Sequence, residues 1–206
     1  MTKVDFKKTL ESYKAKHAKF AIMDIPKLQY LMIDGYGDPN TSKEFSDAVA
    51  ALYPIAYKLK FKSKIELEKD FVVMPLEGLW WSNDMSVFTS ARDKSQWNWT
   101  LMIMQPDWIT QEFFARTLAE VKSDISPSLG RVRLESLEEG VCVQTLHIGS
   151  YDDETELLAT MHNQFIPSNG FQMTKKHHEI YLSDARKVES HKLRTILRQP
   201  VISTKE

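Results

Sequence analysis

Hydrophobic and polar positions alternate along several stretches of this 206-residue chain and recur at helical spacing along others. The alternation is clearest in Lys175-Lys-His-His-Glu-Ile-Tyr-Leu-Ser-Asp184, which predicts a strand closed by a Ser-Asp turn. With a period of two, His177, Glu179 and Tyr181 share one face, and His178, Ile180 and Leu182 share the other. If Ile180 and Leu182 meet packed helices, Glu179 looks out from the opposite side of the sheet. Burying that carboxylate unpaired costs several kcal/mol. It is therefore either solvated or in the service of a ligand.

The same alternation predicts strands at Leu28–Ile33, Phe71–Met74, 75–81, Trp97–Met104, Arg131–Leu137 and Gly140–Ile148. Glu77, Leu79 and Trp81 fall on one side of their strand and Trp80 on the other; Trp97 and Trp99 share a face of theirs. Tryptophans at these positions describe either core or a flat, electron-rich binding wall. Helical spacing predicts a surface helix over residues 3–20, with the stripe Phe6, Leu10, Tyr13, His17 and Phe20. A second helix starts at a Thr41 or Ser42 cap and runs to about Lys60, with a kink or break near Leu52–Tyr53 caused by Pro54. Tyr53 and Tyr57 lie four apart on its surface, as core aromatics or as a pocket wall. Asp107 caps a helix from Trp108 to about Asp124, and another spans 154–165. Residues 82–94 read as a polar connection and 126–130 as a linker. The basic tail, Arg186 to Arg198, reads as a solvated turn and docking segment.

The two halves rhyme. Leu31-Met-Ile-Asp-Gly-Tyr-Gly-Asp38 is echoed by Leu146-His-Ile-Gly-Ser-Tyr-Asp-Asp153, each a strand, a glycine turn and then a helix. A strand–helix–strand–strand unit used twice predicts an α+β fold with pseudo-twofold symmetry and a central ligand cleft. The expected organisation is one domain over 1–206, with an N-terminal helix at 1–20 and halves at 21–125 and 131–200. His147, before the second glycine turn, is a hydrogen-bonded strand end or a pocket residue, and Tyr151 follows it.

Composition narrows the chemistry. A net charge of −1 gives no global field for nucleic acid or anionic membrane. The single cysteine, Cys142, sits between valines and reads as an inert core thiol. No apolar run approaches the roughly 20 residues of a spanning helix, and no apolar segment of signal-peptide type opens the chain, so a cytoplasmic location is expected. Among the six histidines, His177 and His178 are adjacent and point to opposite faces, and no zinc-binding spacing occurs, so no metal is expected. Gly35-Tyr-Gly37 lacks the third glycine of a dinucleotide fingerprint, and no phosphate loop or nucleophile elbow is present, so no cofactor is expected either.

Taken together, 52–57 (LYPIAY), 75–81 (PLEGLWW), 97–106 (WNWTLMIMQP), 146–151 (LHIGSY) and 177–184 (HHEIYLSD) resemble the GyrI-like small-molecule-binding family, in particular its stand-alone branch. The resemblance covers roughly residues 20–200 and implies tandem strand–helix–strand–strand modules around an aromatic cleft. It implies that Glu179 corresponds to a buried glutamate that pairs with cationic aromatic ligands in multidrug-sensing relatives. By the same resemblance, some stand-alone members look like hydrolases of cyclopropanoid genotoxins, spirocyclopropyl alkylators of DNA. On that basis Glu179 is the expected base, Tyr53 or Tyr181 the group that steadies the developing oxygen anion, and Glu77, Trp81, Trp97, Trp99, Tyr57, His147 and Tyr151 the ligand-binding set. The expected partner is a small aromatic or cyclopropanoid molecule, with no direct nucleic acid contact, no membrane, and a monomer or homodimer as the assembly. The competing expectation is a non-catalytic binder that sequesters cationic aromatic drugs.

Overall fold

The computed structural model describes residues 2–82, 93–121 and 125–204. In chain order the strands are β1 (Lys3–Val4), β2 (Ala21–Ile25), β3 (Leu28–Tyr36), β4 (Asp70–Phe71), β5 (Glu77–Trp81), β6 (Asn98–Gln105), β7 (Arg133–Leu137), β8 (Gly140–Ile148), β9 (Phe171–Met173), β10 (His177–Tyr181) and β11 (Arg194–Ser203). The α-helices are α1 (Phe6–Thr9), α2 (Lys43–Glu66), α3 (Gln111–Ala119), α4 (Thr155–Thr160) and α5 (Ile166–Ser168), with a π-helical turn, Met161–Phe165, between the last two. The chain divides into two compact units. The first comprises Met1–Thr9, Leu28–Met74 and Trp81–Leu137; the second comprises Leu10–Lys27, Pro75–Trp80 and Glu138–Glu206.

In the first unit β3 pairs antiparallel with both β6 and β7, and α2 packs on β3 and β6. Ser42 caps α2 by accepting from the Phe45 N–H, and Ala48, Ala51, Leu52, Ile55, Ala56 and Leu59 form its buried side. The expected break at Pro54 does not occur. Proline removes one N–H from the helix ladder, and the carbonyl left over belongs to Ala50 on the exposed side, where water can take it. Trp99 lies directly across from Gly35, and a Cβ on that glycine would come within 2.0 Å of the indole ring. The glycine thus lets the ring lie flat over β3, where Phe45 meets it edge-on at 5.2 Å. The helix expected from Asp107 begins later: Thr110 caps α3 through the Phe113 N–H at 3.1 Å. The expected end of that helix, and most of the polar connection at 82–94, lie outside the described residues.

In the second unit the antiparallel order is β2–β8–β11–β10–β5, with β9 also on β11. The basic tail is therefore no docking segment, because β11 runs through the middle of this sheet. Its apolar residues Ile196 and Leu197 are fully buried, and its charge at Arg198 is paired inside. The segment α4, π turn and α5 packs Met161 and Ile166 against Val143, Leu197 and Val201. Leu197 lies directly across from Glu179, so this helical segment covers the Glu179 face of the sheet rather than the Ile180 face expected from the sequence.

The helix expected over residues 3–20 is not formed. Beyond α1 there is a 3-10 turn at Glu11–Tyr13, then extended chain joined to β8 by Ala18 N–H to Leu146 O at 3.1 Å. A helix would use the Ser12 and Lys14 carbonyls internally. Here Arg198 and Gln144 side chains donate to them, at 2.6 and 2.9 Å.

Candidate functional site

The second unit carries its chemistry on the two faces of β10. On one face, Gln144, Arg198, His178 and Leu79 stand side by side across four strands. His178 Nε2 meets Glu77 Oε2 at 2.9 Å and Nδ1 meets Glu139 Oε1 at 3.0 Å. Both partners are carboxylates, so both ring nitrogens donate and the ring is an imidazolium. Burial works against that charge, but Glu139 beside it prevails and raises the His178 pKa. Burial likewise disfavours the Glu139 carboxylate, yet His178 and Arg198 hold its pKa down at about 2. Arg198 Nη1 donates to Glu139 Oε2 at 2.7 Å, and Tyr13 OH donates to Glu77 Oε1 at 2.5 Å. Two anions and two cations balance in a space with almost no solvent contact.

The other face is built differently. Glu179 Oε2 accepts from Tyr181 OH at 2.8 Å, and the same hydroxyl accepts from Trp80 Nε1 at 3.1 Å. Trp80 can lie there because Gly78, opposite Glu179, has no side chain; a Cβ on it would come within 2.8 Å of Trp80 Nε1. Tyr151 meets Tyr181 edge-on at 5.6 Å and is 41% exposed, which leaves an aromatic surface open to a ligand. Burial, then the charge of Glu179, pushes the Tyr151 pKa up to about 12 and raises that of Tyr181 well above the usual phenol value. Both hydroxyls therefore keep their protons at neutral pH. Buried Glu154, at the end of the 3-10 turn Tyr151–Glu154, adds a second negative charge near both rings. His147 is also buried, with Nε2 2.9 Å from Ser150 O, so it holds the turn that carries Tyr151.

The structure thus brings Glu179, Tyr181 and Tyr151 together and adds Trp80, which the sequence reading set apart from Trp81. Two expected ligand contacts are placed elsewhere. Glu77 is fully buried on the opposite face, bound to Tyr13 and His178, and Trp99 is fully buried in the first unit over Gly35. Tyr53 and Tyr57 lie on α2 of the first unit with ring centroids 6.5 Å apart, and Tyr57 is 48% exposed. Trp81 ends β5 and Trp97 precedes β6, the latter with Lys94 Nζ 5.8 Å from its ring centroid. Cys142 is buried, and its thiol pKa is pushed up to about 12 by that burial. Among the described residues no group of three or more His, Cys, Asp or Glu is arranged to hold a metal ion. No helix among them is long and apolar enough to cross a membrane.

An antiparallel sheet with packed helices and an acidic, aromatic face defines an α+β small-molecule-binding fold, and the comparisons agree. The chain belongs to the GyrI-like small molecule binding domain family, whose model matches residues 18–201. It is similar to an uncharacterized conserved protein from Listeria innocua, with 40% identity, a TM-score of 0.87, and coverage of 97% of this chain and 100% of that one. A structure described as a hydrolase from Listeria innocua matches at 39% identity and a TM-score of 0.83, covering 97% and 100%. The EcmrR C-terminal domain, at 14% identity and a TM-score of 0.56 over 90% and 98%, shares the fold. No curated protein matches the chain.

Proposed function

We propose that the Glu179 face of the second unit binds a flat aromatic small molecule and hydrolyses spirocyclopropyl dienones, the cyclopropanoid genotoxins that alkylate DNA, thereby protecting the cell. The observation that carries this reading is the Tyr181 hydroxyl, fixed between Trp80 Nε1 and Glu179 Oε2 on a sheet face that is largely shielded from water. Aromatic contacts to Tyr151, Tyr181 and Trp80 would each contribute about 0.5–1.5 kcal/mol beyond area burial. Glu179 takes a proton from a water molecule, and the water oxygen forms a bond to the cyclopropane methylene. The strained C–C bond breaks, and its electron pair passes into the dienone to leave a phenolate. That oxygen then takes a proton from solvent, and Glu179 returns its own, so the net change is addition of one water. The protonated Tyr151 hydroxyl can donate to the developing anion, since the Tyr181 proton is already given to Glu179. The description of a 39% identical relative as a hydrolase supports the catalytic reading.

The second reading is a binder without chemistry, favoured by two carboxylates, half-buried Glu179 and buried Glu154, whose charges both act on the ligand-facing tyrosines. Such a surface suits an aromatic cation. Product mass separates the two. Incubation with a spirocyclopropyl dienone that yields the one-water adduct at many turnovers supports the hydrolase. Unchanged compound bound at one equivalent supports the sequestering protein.

A further inference from the structure

The outward face of α2 has no part in the function proposed so far. Ala50, Tyr53, Pro54, Tyr57, Phe61 and Ile65 recur along it at helical spacing and form one straight row, about 22 Å long. Tyr57 is 48% exposed, Phe61 54% and Ile65 78%. The Tyr57 and Phe61 rings stack with centroids 6.5 Å apart and 27° between their planes. Apolar side chains scattered singly over a surface need no explanation, but a continuous row along one helix does. α2 already buries a full side, from Ala48 to Leu59, against β3 and β6, so the outward row is surplus to the packing of its unit. By side-chain size, Tyr57, Phe61 and Ile65 leave about 300 Å² open.

The two ends of the row carry opposite charges. Asp47 lies three residues before Ala50, and Lys64 stands next to Ile65. Asp47 is half-buried and meets Lys43 at 2.7 Å, while Lys64 is exposed and makes no ion pair among the described residues. A helix laid head to tail on a copy of itself about a twofold axis meets its own opposite end. With the axis level with Ile55 and Ala56, Lys64 stands over the partner's Asp47, Phe61 over the partner's Ala50 and Tyr57 over the partner's Pro54. Large side chains then face small ones, as ridges fit grooves, and both ends close on opposite charges. A lipid surface fits this face less well, because it favours a basic rim, and here Glu44 and Asp47 flank one end.

We propose that the outward face of α2 is a homodimer surface, on which two copies of this chain pair antiparallel with Tyr57 and Phe61 at the contact and an Asp47–Lys64 pair at each end. The proposal is independent of the hydrolase and binder readings. With their flanking residues the two rows bury about 1,000 Å² in all, the small end of specific interfaces. The dimer is therefore weak and forms with rising concentration.

The test is sedimentation equilibrium of the full chain from about 1 to about 300 µM. Wild type is expected to pass from monomer to dimer with a dissociation constant of about 10 µM. Phe61→Glu places a charge from each copy in the contact and should raise that constant at least about 10²-fold. Asp47→Lys and Lys64→Glu each set like charges together at both ends and should raise it about 10-fold. The double exchange restores opposite charges and should return it to within about 3-fold of wild type. Should Phe61→Glu not fold by circular dichroism, Phe61→Ser carries the same comparison. A wild type that stays monomeric throughout overturns the proposal, and if that monomer co-sediments with phosphatidylglycerol vesicles the face belongs to a membrane instead. A Phe61→Glu protein that dimerises like wild type also overturns it, since the interface then lies elsewhere. A double exchange no tighter than the single ones overturns the head-to-tail register and the charge argument for this face with it.

Discussion

The two faces of β10 hold similar residue types and use them in opposite ways. On the His178 face two carboxylates meet an arginine and an imidazolium, and the charges cancel within hydrogen-bond distance. On the Glu179 face the same strand carries a carboxylate among tyrosine hydroxyls, an indole N–H and two neutral imidazoles. The first arrangement consumes its charge in holding the fold together. The second sets its carboxylate beside tyrosines, one of them with an exposed ring. A residue type therefore does not mark a site by itself; what matters is what surrounds it.

The largest effect expected is on the cancelled face. Arg198→Met leaves Glu139, the Gln144 amide oxygen and the Ser12 carbonyl without their buried donor and should cost about 3–5 kcal/mol in urea unfolding. If loss of a charge there left stability untouched, the division between the faces would fail. Tyr13→Phe removes one donor from buried Glu77 and should cost about 1–3 kcal/mol by the same measurement, without reaching the Glu179 face. Acid should distinguish the faces too. His162 and His177 have folded pKa values below that of an unfolded histidine, so their contribution is present above about pH 6.5 and is lost as pH falls toward 4. His178 has the opposite sign: its contribution is present below pH 6.5 and is lost as pH rises through its raised folded pKa. His162→Leu should therefore flatten the loss of stability between pH 6.5 and 5 by about 1–2 kcal/mol, read from urea midpoints at the two pH values. The smallest effect on folding is expected from Gly78→Ala, whose new methyl displaces the Trp80 indole and breaks its bond to Tyr181. Ligand affinity, measured by fluorescence titration, should fall about 10-fold while the urea midpoint moves by less than the Tyr13→Phe shift.

Period-two alternation was enough to find β10 and to separate Glu179 from His178. It could not say which face the helices cover, because that depends on which strand pairs with which. Leu197 settles the matter by lying across from Glu179, and Leu197 is on a strand that its arginines disguised as a solvated tail. Trp80 was missed for the same reason. Its register with His177, two residues along from Glu179, is set by pairing between segments about 100 positions apart, which local spacing cannot encode. Residues 3–20 show the converse failure. Their stripe has helical spacing, but carbonyls at Ser12 and Lys14 are worth more to buried Arg198 and Gln144 than to a surface helix. Trp99 reads as a wall residue until Gly35 is seen beneath it.

The most direct test of the account is Glu179→Gln, which keeps the shape of the side chain and removes its charge. Turnover of a spirocyclopropyl dienone should fall by at least about 10²-fold, with the urea midpoint unchanged and the ring-opened product still bound. A Glu179→Gln protein that hydrolyses the dienone at the wild-type rate would contradict it.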